Sequence, residues 1–456
     1  MARLFISPQL EMDSSKEEGL RTQPPPTTGA STGKVTFRAC LTVIGGFFAL
    51  FCGVGFTNAF GIFQEYYMTN ILPEYSASAI SWIGSVSIFL TYILAPVTGV
   101  VVDRYGPTPL IIAGSVLELF SVFMVSLCKE YYQFFLAQAI VFGVATCFLT
   151  LPPISAVSRA MPSHRGLVIG IVVGGSSIGG IIWPIMLERL FSNQSLSFGW
   201  VMRIVGFTML PLLVFASATI RDHPKRNQKT VLPASESSES DTPSSSANPN
   251  RAASQWRSSI LSILKSPVFL LLSIGLAISY LGMFLPFFYI VSYATSSILS
   301  LPKDITFYLA SIVNAASLFG RTVPGYLADR YFGHFNLLFA AVFLSGVIGF
   351  TWTAADTLAG IVVWCLAYGF TSGAILSLQS ACAGKIVGLE KQGLGVGLVM
   401  GAVSAGSLAG APIGGSLVGS YGYLGLSMFT GATLVAGSLF VGAARLGLDK
   451  KIFAAV

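Results

Sequence analysis

The chain has 456 residues, of which 53% are apolar and only 10% charged, with a mean hydropathy of +0.74 and a net charge of +7. A soluble domain carries about a quarter charged residues, so a water-soluble enzyme is excluded. A secreted disulfide scaffold is excluded too, because the six Cys show no close pairing and most fall in apolar runs, where Cys behaves as a small hydrophobe.

A membrane-crossing helix needs ~20 apolar residues, and taken in order the chain offers twelve such stretches. Residues 1–38 mix Ser, Thr, Glu and a Pro24-Pro25-Pro26 run. Such a segment cannot bury enough surface to offset chain entropy and is expected to be a disordered tail. It has no short apolar core with a small-residue cleavage site, so it does not read as a cleaved signal peptide. Six spans are predicted near Ala39–Gln64, Ala79–Val102, Thr108–Leu127, Tyr131–Val157, Gly166–Leu187 and Val201–Ile220. A linker fills residues 221–266; about 222–258 of it, rich in Pro, Ser, Asn, Glu and Lys, is expected to be disordered. Six more spans follow, near Val268–Ala294, Ile305–Leu327, Phe335–Ala354, Leu358–Ala381, Gly393–Ser420 and Tyr423–Ala444. Residues 446–456 form a short tail. The apolar runs are continuous rather than alternating, which disfavours a β-barrel.

The basic residues sort by side of the membrane. Of 26 Lys and Arg, four (Lys129, Arg189, Arg203, Lys303) fall on one side, Arg321 lies inside a span, and the remaining 21 fall on the side of both termini and the linker. Lys and Arg mark the cytoplasmic side, so both termini are expected there. The net +7 is thus a topology signal, and no nucleic-acid partner is expected.

An internal repeat organises the spans. Between spans two and three the chain reads Gly99-Val-Val-Val-Asp103-Arg104-Tyr105-Gly106. Between spans eight and nine it reads Gly325-Tyr-Leu-Ala-Asp329-Arg330-Tyr331-Phe332-Gly333, with Gly, Asp and Arg all offset by 226. Gly166, Gly170, Gly174 and Gly179 in span five recur at an offset of 227 as Gly393, Gly397, Gly401 and Gly406 in span eleven. Two matches at nearly one offset, each at the same ordinal place in a six-span half, imply duplication. The predicted fold class is therefore an all-α membrane protein, with twelve transmembrane helices in two six-helix pseudo-symmetric bundles over residues 39–220 and 267–445. An even number of spans per half gives parallel repeats, as in large secondary transporters. Small residues at four-residue spacing, including Gly166/Gly170/Gly174 and Gly406/Gly410/Gly414, allow close helix approach; static packing is the other reading.

The Gly-x-x-x-Asp-Arg-x-Gly loop and its echo resemble the signature of the major facilitator superfamily, whose fold is the one just described. The resemblance implies a gating role for Gly99, Asp103, Arg104, Gly325, Asp329 and Arg330, in a latch that closes the cytoplasmic side. Pro107-Thr108-Pro109 stands where the family usually has a basic pair. More narrowly, three stretches look like the fungal branch of the monocarboxylate transporter family: Gly45-Gly46-Phe47 with Gly55 to Tyr67, Gly175 to Gly180 with Trp183-Pro184, and Asn314 to Gly325. In that family the residue matching Arg321 holds the substrate anion. The acidic residue that normally opens the first helix is missing here, and Ile62 and Ser317 stand where the animal members carry Lys and Asp.

Arg321 is the sharpest single residue. It lies eight positions before Asp329, about 12 Å into the membrane at ~1.5 Å per residue. A charge at that depth costs at least ~2.5 kcal/mol, so it must face a wet cavity or a partner on a neighbouring helix. Its planar fork suits two-point contact with a carboxylate. Asn314, Ser317 and Arg321, at i, i+3 and i+7, share one helix face and are expected to line the cavity. Glu118, near the midplane of span three, is either a proton site or a structural hydrogen-bonded carboxyl. Asn58 and Gln138 are intramembrane polar groups that either orient substrate or bridge helices. Tyr289, Tyr293, Trp364 and Tyr368 either stack on a substrate ring or pack at the interface.

Asn193-Gln194-Ser195 is a glycosylation sequon in an outward loop. The sequence has no phosphate loop, paired-His zinc motif or nucleophile elbow, and its three His fall in predicted loops, so no catalytic residue, metal or cofactor is expected. The expected protein is a transporter of a small organic, carboxylate-bearing solute by alternating access. It is expected to act as a monomer in the lipid bilayer of the cell membrane, or of a vacuole or vesicle, with protons as candidate co-substrate. The alternatives are an exporter of a fungal secondary metabolite or drug, and a transporter-like nutrient sensor.

Overall fold

The computed structural model describes residues 36–161, 165–193, 195–221, 260–297, 303–387 and 392–449. Both predicted tails, but for a few residues at their inner ends, and most of the linker lie outside the described residues, as do the side chains of Asp103 and Arg104. Besides short helical turns at 260–264 and Trp352–Ala354, twelve long helices run through the described residues. They are α1 (Phe37–Ile71), α2 (Ala77–Ile93, bent by 41° at Leu94 into Ala95–Tyr105), α3 (Thr108–Val125), α4 (Tyr131–Ala160), α5 (Arg165–Phe191) and α6 (Phe198–Thr219). The second six are α7 (Pro267–Ser297), α8 (Lys303–Leu327, wound more loosely through Phe332), α9 (His334–Phe350), α10 (Leu358–Val387), α11 (392–421) and α12 (423–448). The last two are separated only by Gly422, whose φ of 66° reverses the backbone.

Several helices are broken, two of them beside a proline. The α2 and α7 axes are interrupted at Leu94 and Phe284, each two residues before a proline, Pro96 and Pro286. Proline supplies no N–H and its ring crowds the carbonyl four residues back, so the ladder fails at that point. The break in α1 falls at Asn58 and Ala59, and Asn58 is the repeat equivalent of Phe284.

The repeat seen in the sequence is a repeat in space. In the first half α1 packs on α4, α5 and α6, α3 on α4 and α6, and α2 on α4. The second half repeats this with α7 on α10, α11 and α12, α9 on α10 and α12, and α8 on α10. Gly179 of α5 lies against the Phe51 carbonyl of α1, and its equivalent Gly406 of α11 lies against the Ala277 carbonyl of α7; a Cβ at either would collide with that oxygen. Phe51 and Ala277 are themselves 226 apart. Gly106 and Gly333, which end the two signature loops, adopt φ of 81° and 77°, the left-handed region that glycine enters without penalty. The expected close approach therefore holds for Gly406, Gly410 and Gly414, whereas Gly170 has open space beside it and Gly174 makes ordinary contact with Leu318. On α5 the tight packing falls instead at Gly175 and Gly179.

The two halves meet where α5 crosses α8, where α2 crosses α11, and where α1 touches α7. On the side away from the signature loops, Gly61 of α1 abuts the Phe287 carbonyl of α7, the Phe60 and Phe288 rings lie 5.1 Å apart, and Ser292 Oγ donates to Glu65. Residues about 226 apart thus touch each other, so the pseudo-two-fold axis passes between α1 and α7 there.

Candidate functional site

Arg321 sits about three quarters of the way along α8 and points across the seam. Its Nη1 donates to Ser176 Oγ of α5 at 2.5 Å, while its Nε is buried without a hydrogen-bond partner. Ser176 also receives Asn58 Nδ2 at its carbonyl oxygen, 3.4 Å away, from the broken part of α1. Arg321 and Asn58, predicted separately, are therefore brought to one serine. Close enough to interact electrostatically with the guanidinium are the hydroxyls of Tyr92 (α2) and Tyr280 (α7). These rings stand at 75° with centroids 6.0 Å apart, and Tyr280 Oη donates to Gln379 Oε1 of α10 at 3.0 Å.

Among the described residues Arg321 has no carboxylate within 4 Å. A hydrogen bond between a charged and a neutral group contributes about 1.5–3 kcal/mol, which no more than offsets the ~2.5–3.5 kcal/mol cost of a guanidinium at membrane depth. The site is left with a buried donor edge and an excess of positive charge, which is what an anionic group would satisfy.

The expected polar face of α8 divides. Asn314 is fully buried, its amide oxygen pressed against Gly180 of α5 and its Nδ2 donating to the Ala310 carbonyl at 2.9 Å. Ser317 is fully buried against Gly373 of α10. In this conformation neither lines a cavity beside Arg321. A helix face 100° wide touches two neighbouring helices, so common spacing does not ensure a common environment.

The remaining predicted groups lie elsewhere. Gln138 accepts from Tyr67 Oη at 2.7 Å and borders a cavity of about 10 Å³ with Thr57, Ser87 and three Phe, room for one water at most. Glu118 is fully buried inside the first half, with Thr146 and Cys52 as its neighbours, apart from the Arg321 cluster. Tyr289, Tyr368 and Trp364 donate to the carbonyls of Ala411, Met283 and Ile348; Tyr368, Trp364 and Tyr293 are packed among second-half residues, and Tyr289 lies at the seam near Gln64 and Ser81. Tyr92, Ser176, Tyr280 and Gln379 were missed. Ser176 lies within the Gly175 to Gly180 stretch, but the tyrosines and Gln379 carry no signal in the sequence, since their helices meet only in the folded protein.

At the signature loops Gly99 and Gly325 have open space beside them, and Asp329 is exposed, 3.0 Å from His334 Nε2. Arg330 donates to Tyr326 Oη at 3.0 Å. Asn193 is exposed on the turn between α5 and α6, its Oδ1 accepting from Ser195 Oγ at 2.7 Å.

Comparison with known proteins adds to this geometry. The profile described as Major Facilitator Superfamily matches residues 42–385. An MFS-type transporter of Aspergillus fumigatus is 50% identical over 91% of this chain and 94% of its own. The agnestins efflux protein of Paecilomyces divaricatus is 44% identical over 97% of this chain and 94% of its own, and the aspyridones efflux protein of Emericella nidulans 35% identical over 95% and 83%.

Proposed function

The chain belongs to the major facilitator superfamily, is a transporter rather than an enzyme, and from that premise we propose that it exports a small organic metabolite whose carboxylate docks on Arg321. The observation that carries the carboxylate is the buried, unpartnered Nε of Arg321 beside a guanidinium held only by Ser176. The resemblance to the monocarboxylate branch implies the same role, while the relatives compared above are named as an MFS-type transporter and efflux proteins rather than monocarboxylate porters. Efflux is supported by what two relatives are named for, and the nutrient-sensor reading has no comparable support.

The reaction is movement without covalent chemistry. Among the described residues, the hydrogen bonds between the halves lie at Arg321 or on the side away from the signature loops: Ser78 to the Pro412 carbonyl at 2.8 Å, Ser416 to Ser78 at 3.2 Å, Ser311 to the Ile181 carbonyl at 3.0 Å, Arg189 to Tyr308 at 2.9 Å, and Ser292 to Glu65. This favours a state open toward the signature loops. With those loops and both termini in the cytoplasm of a cell-membrane protein, it is the loading state of an exporter. Solute bound at Arg321 replaces Ser176 as the guanidinium's acceptor, and the halves, tied less tightly through α5 and α8, rock so that the α1–α7 contact parts as the signature-loop end closes.

The test is transport of labelled carboxylates in proteoliposomes of the full chain, with and without a pH gradient. Arg321→Ala is expected to abolish transport of carboxylates; full retention would sink the clamp. A rate that responds to the imposed pH gradient would add protons to the cycle.

A further inference from the structure

The duplicated frame has diverged around Arg321. At an offset of 226, Arg321 corresponds to Ala95, Tyr280 to Val54, Phe284 to Asn58 and Tyr92 to Leu318. Some equivalents serve one purpose, as Gly179 and Gly406 do. Here one member of each pair is a cation or an aromatic ring and its twin is not. Packing would tolerate symmetric residues in a symmetric frame; an asymmetric solute requires asymmetric ones.

The aromatic members form a strip. Tyr92 meets Tyr280 across the seam, and Tyr280 stands 5.6 Å from Phe284 at 77°. Tyr280 is buried and fixed by Gln379, while Tyr92 and Phe284 on either side remain partly open. Phe284 occupies the break in α7, where the chain is held away from regular helix by Pro286. A rigid ring flanked by two accessible ones, beside a guanidinium with a free donor edge, matches a flat anion with a π face.

We propose that the transported solute is an aromatic acid, its ring against Tyr92 and Phe284 and its carboxylate on the Nε edge of Arg321. This rests on the carboxylate reading of Arg321 and adds the chemistry of the remainder of the molecule. Edge or face contact between rings contributes about 0.5–1.5 kcal/mol beyond area burial, which is roughly 2- to 13-fold in affinity.

The test is calorimetric binding to the full chain in lipid nanodiscs, with 1-naphthoate, benzoate and cyclohexanecarboxylate as probes. Benzoate and cyclohexanecarboxylate share charge and approximate size and differ in the π face. Benzoate is expected to bind several-fold more tightly than cyclohexanecarboxylate, and 1-naphthoate more tightly still. Tyr92→Leu should remove that preference by weakening the aromatic acids alone, and Tyr92→Phe should keep it, which separates ring recognition from a folding defect. Equal affinity for benzoate and cyclohexanecarboxylate, or equal loss of both in Tyr92→Leu, would overturn the aromatic assignment and leave the carboxylate clamp standing. Absence of binding by all three acids, or their undiminished binding to Arg321→Ala, would overturn both.

Discussion

At the scale of single residues, the site turns on how one guanidinium is satisfied. Arg321 holds Ser176 Oγ at 2.5 Å and leaves Nε unused, so the serine acts as a neutral stand-in for an anion. Ser176→Ala removes that competitor while leaving Arg321 in place, and carboxylate binding is expected to tighten severalfold by calorimetry. Arg321→Lys keeps the charge but loses the planar fork that meets two oxygens at once. Its carboxylate affinity is expected to fall by about tenfold, the equivalent of one charge-assisted hydrogen bond, without the complete loss expected of Arg321→Ala. The residue pattern exposed Arg321 because charges are so rare in the spans. It could not show that Asn314 and Ser317 turn to other helices, since spacing fixes a face and not what stands opposite.

At the scale of helices, stability rests on close crossings and a few buried donors. Trp183 of α5 is fully buried and its Nε1 donates to the Phe51 carbonyl of α1 at 2.9 Å, on the turn after Gly179 meets the same oxygen. Trp183→Phe orphans that contact and is expected to lower stability by about 1 kcal/mol, read as a lower unfolding temperature of the purified protein. Gly406→Val, which drives a branched side chain into the Ala277 carbonyl, should cost about 1–3 kcal/mol or more from overpacking. The same substitution at Gly99, which faces open space, should leave the unfolding temperature nearly unchanged. The spans and their order were legible as apolar runs; the breaks at Leu94, Phe284 and Asn58 were not, because Pro152, Pro184, Pro211, Pro324 and Pro412 lie inside helices and no proline marks Asn58.

At the scale of the whole molecule, the pseudo-two-fold axis passes between α1 and α7, where Gly61 abuts Phe287 and Ser292 donates to Glu65. Alternating access requires this end to part when the signature-loop end closes. A bifunctional thiol reagent bridging the double variant E65C/S292C is expected to stop transport, and each single variant treated alike should not be blocked. Transport surviving the bridge would mean that the two halves do not separate there. Gly61→Val, by keeping α1 and α7 apart, is expected to favour the opposite opening, measured as increased reagent access to a cysteine placed at Ser292.

The sequence by itself determined the solvent, the number of spans, the duplication and the one cation that lipid cannot tolerate. Each of these follows from composition or from distance along the chain. Only the tertiary structure decided that Asn58 and Arg321 converge on Ser176, that Tyr92 and Tyr280 close beside them, and that Gln138 and Glu118 stand apart. The physical reason is that the site is assembled across the seam of two bundles. Residues more than two hundred positions apart come together through helix packing and crossing angle, which depend on every side chain at the interface and leave no local mark on the chain.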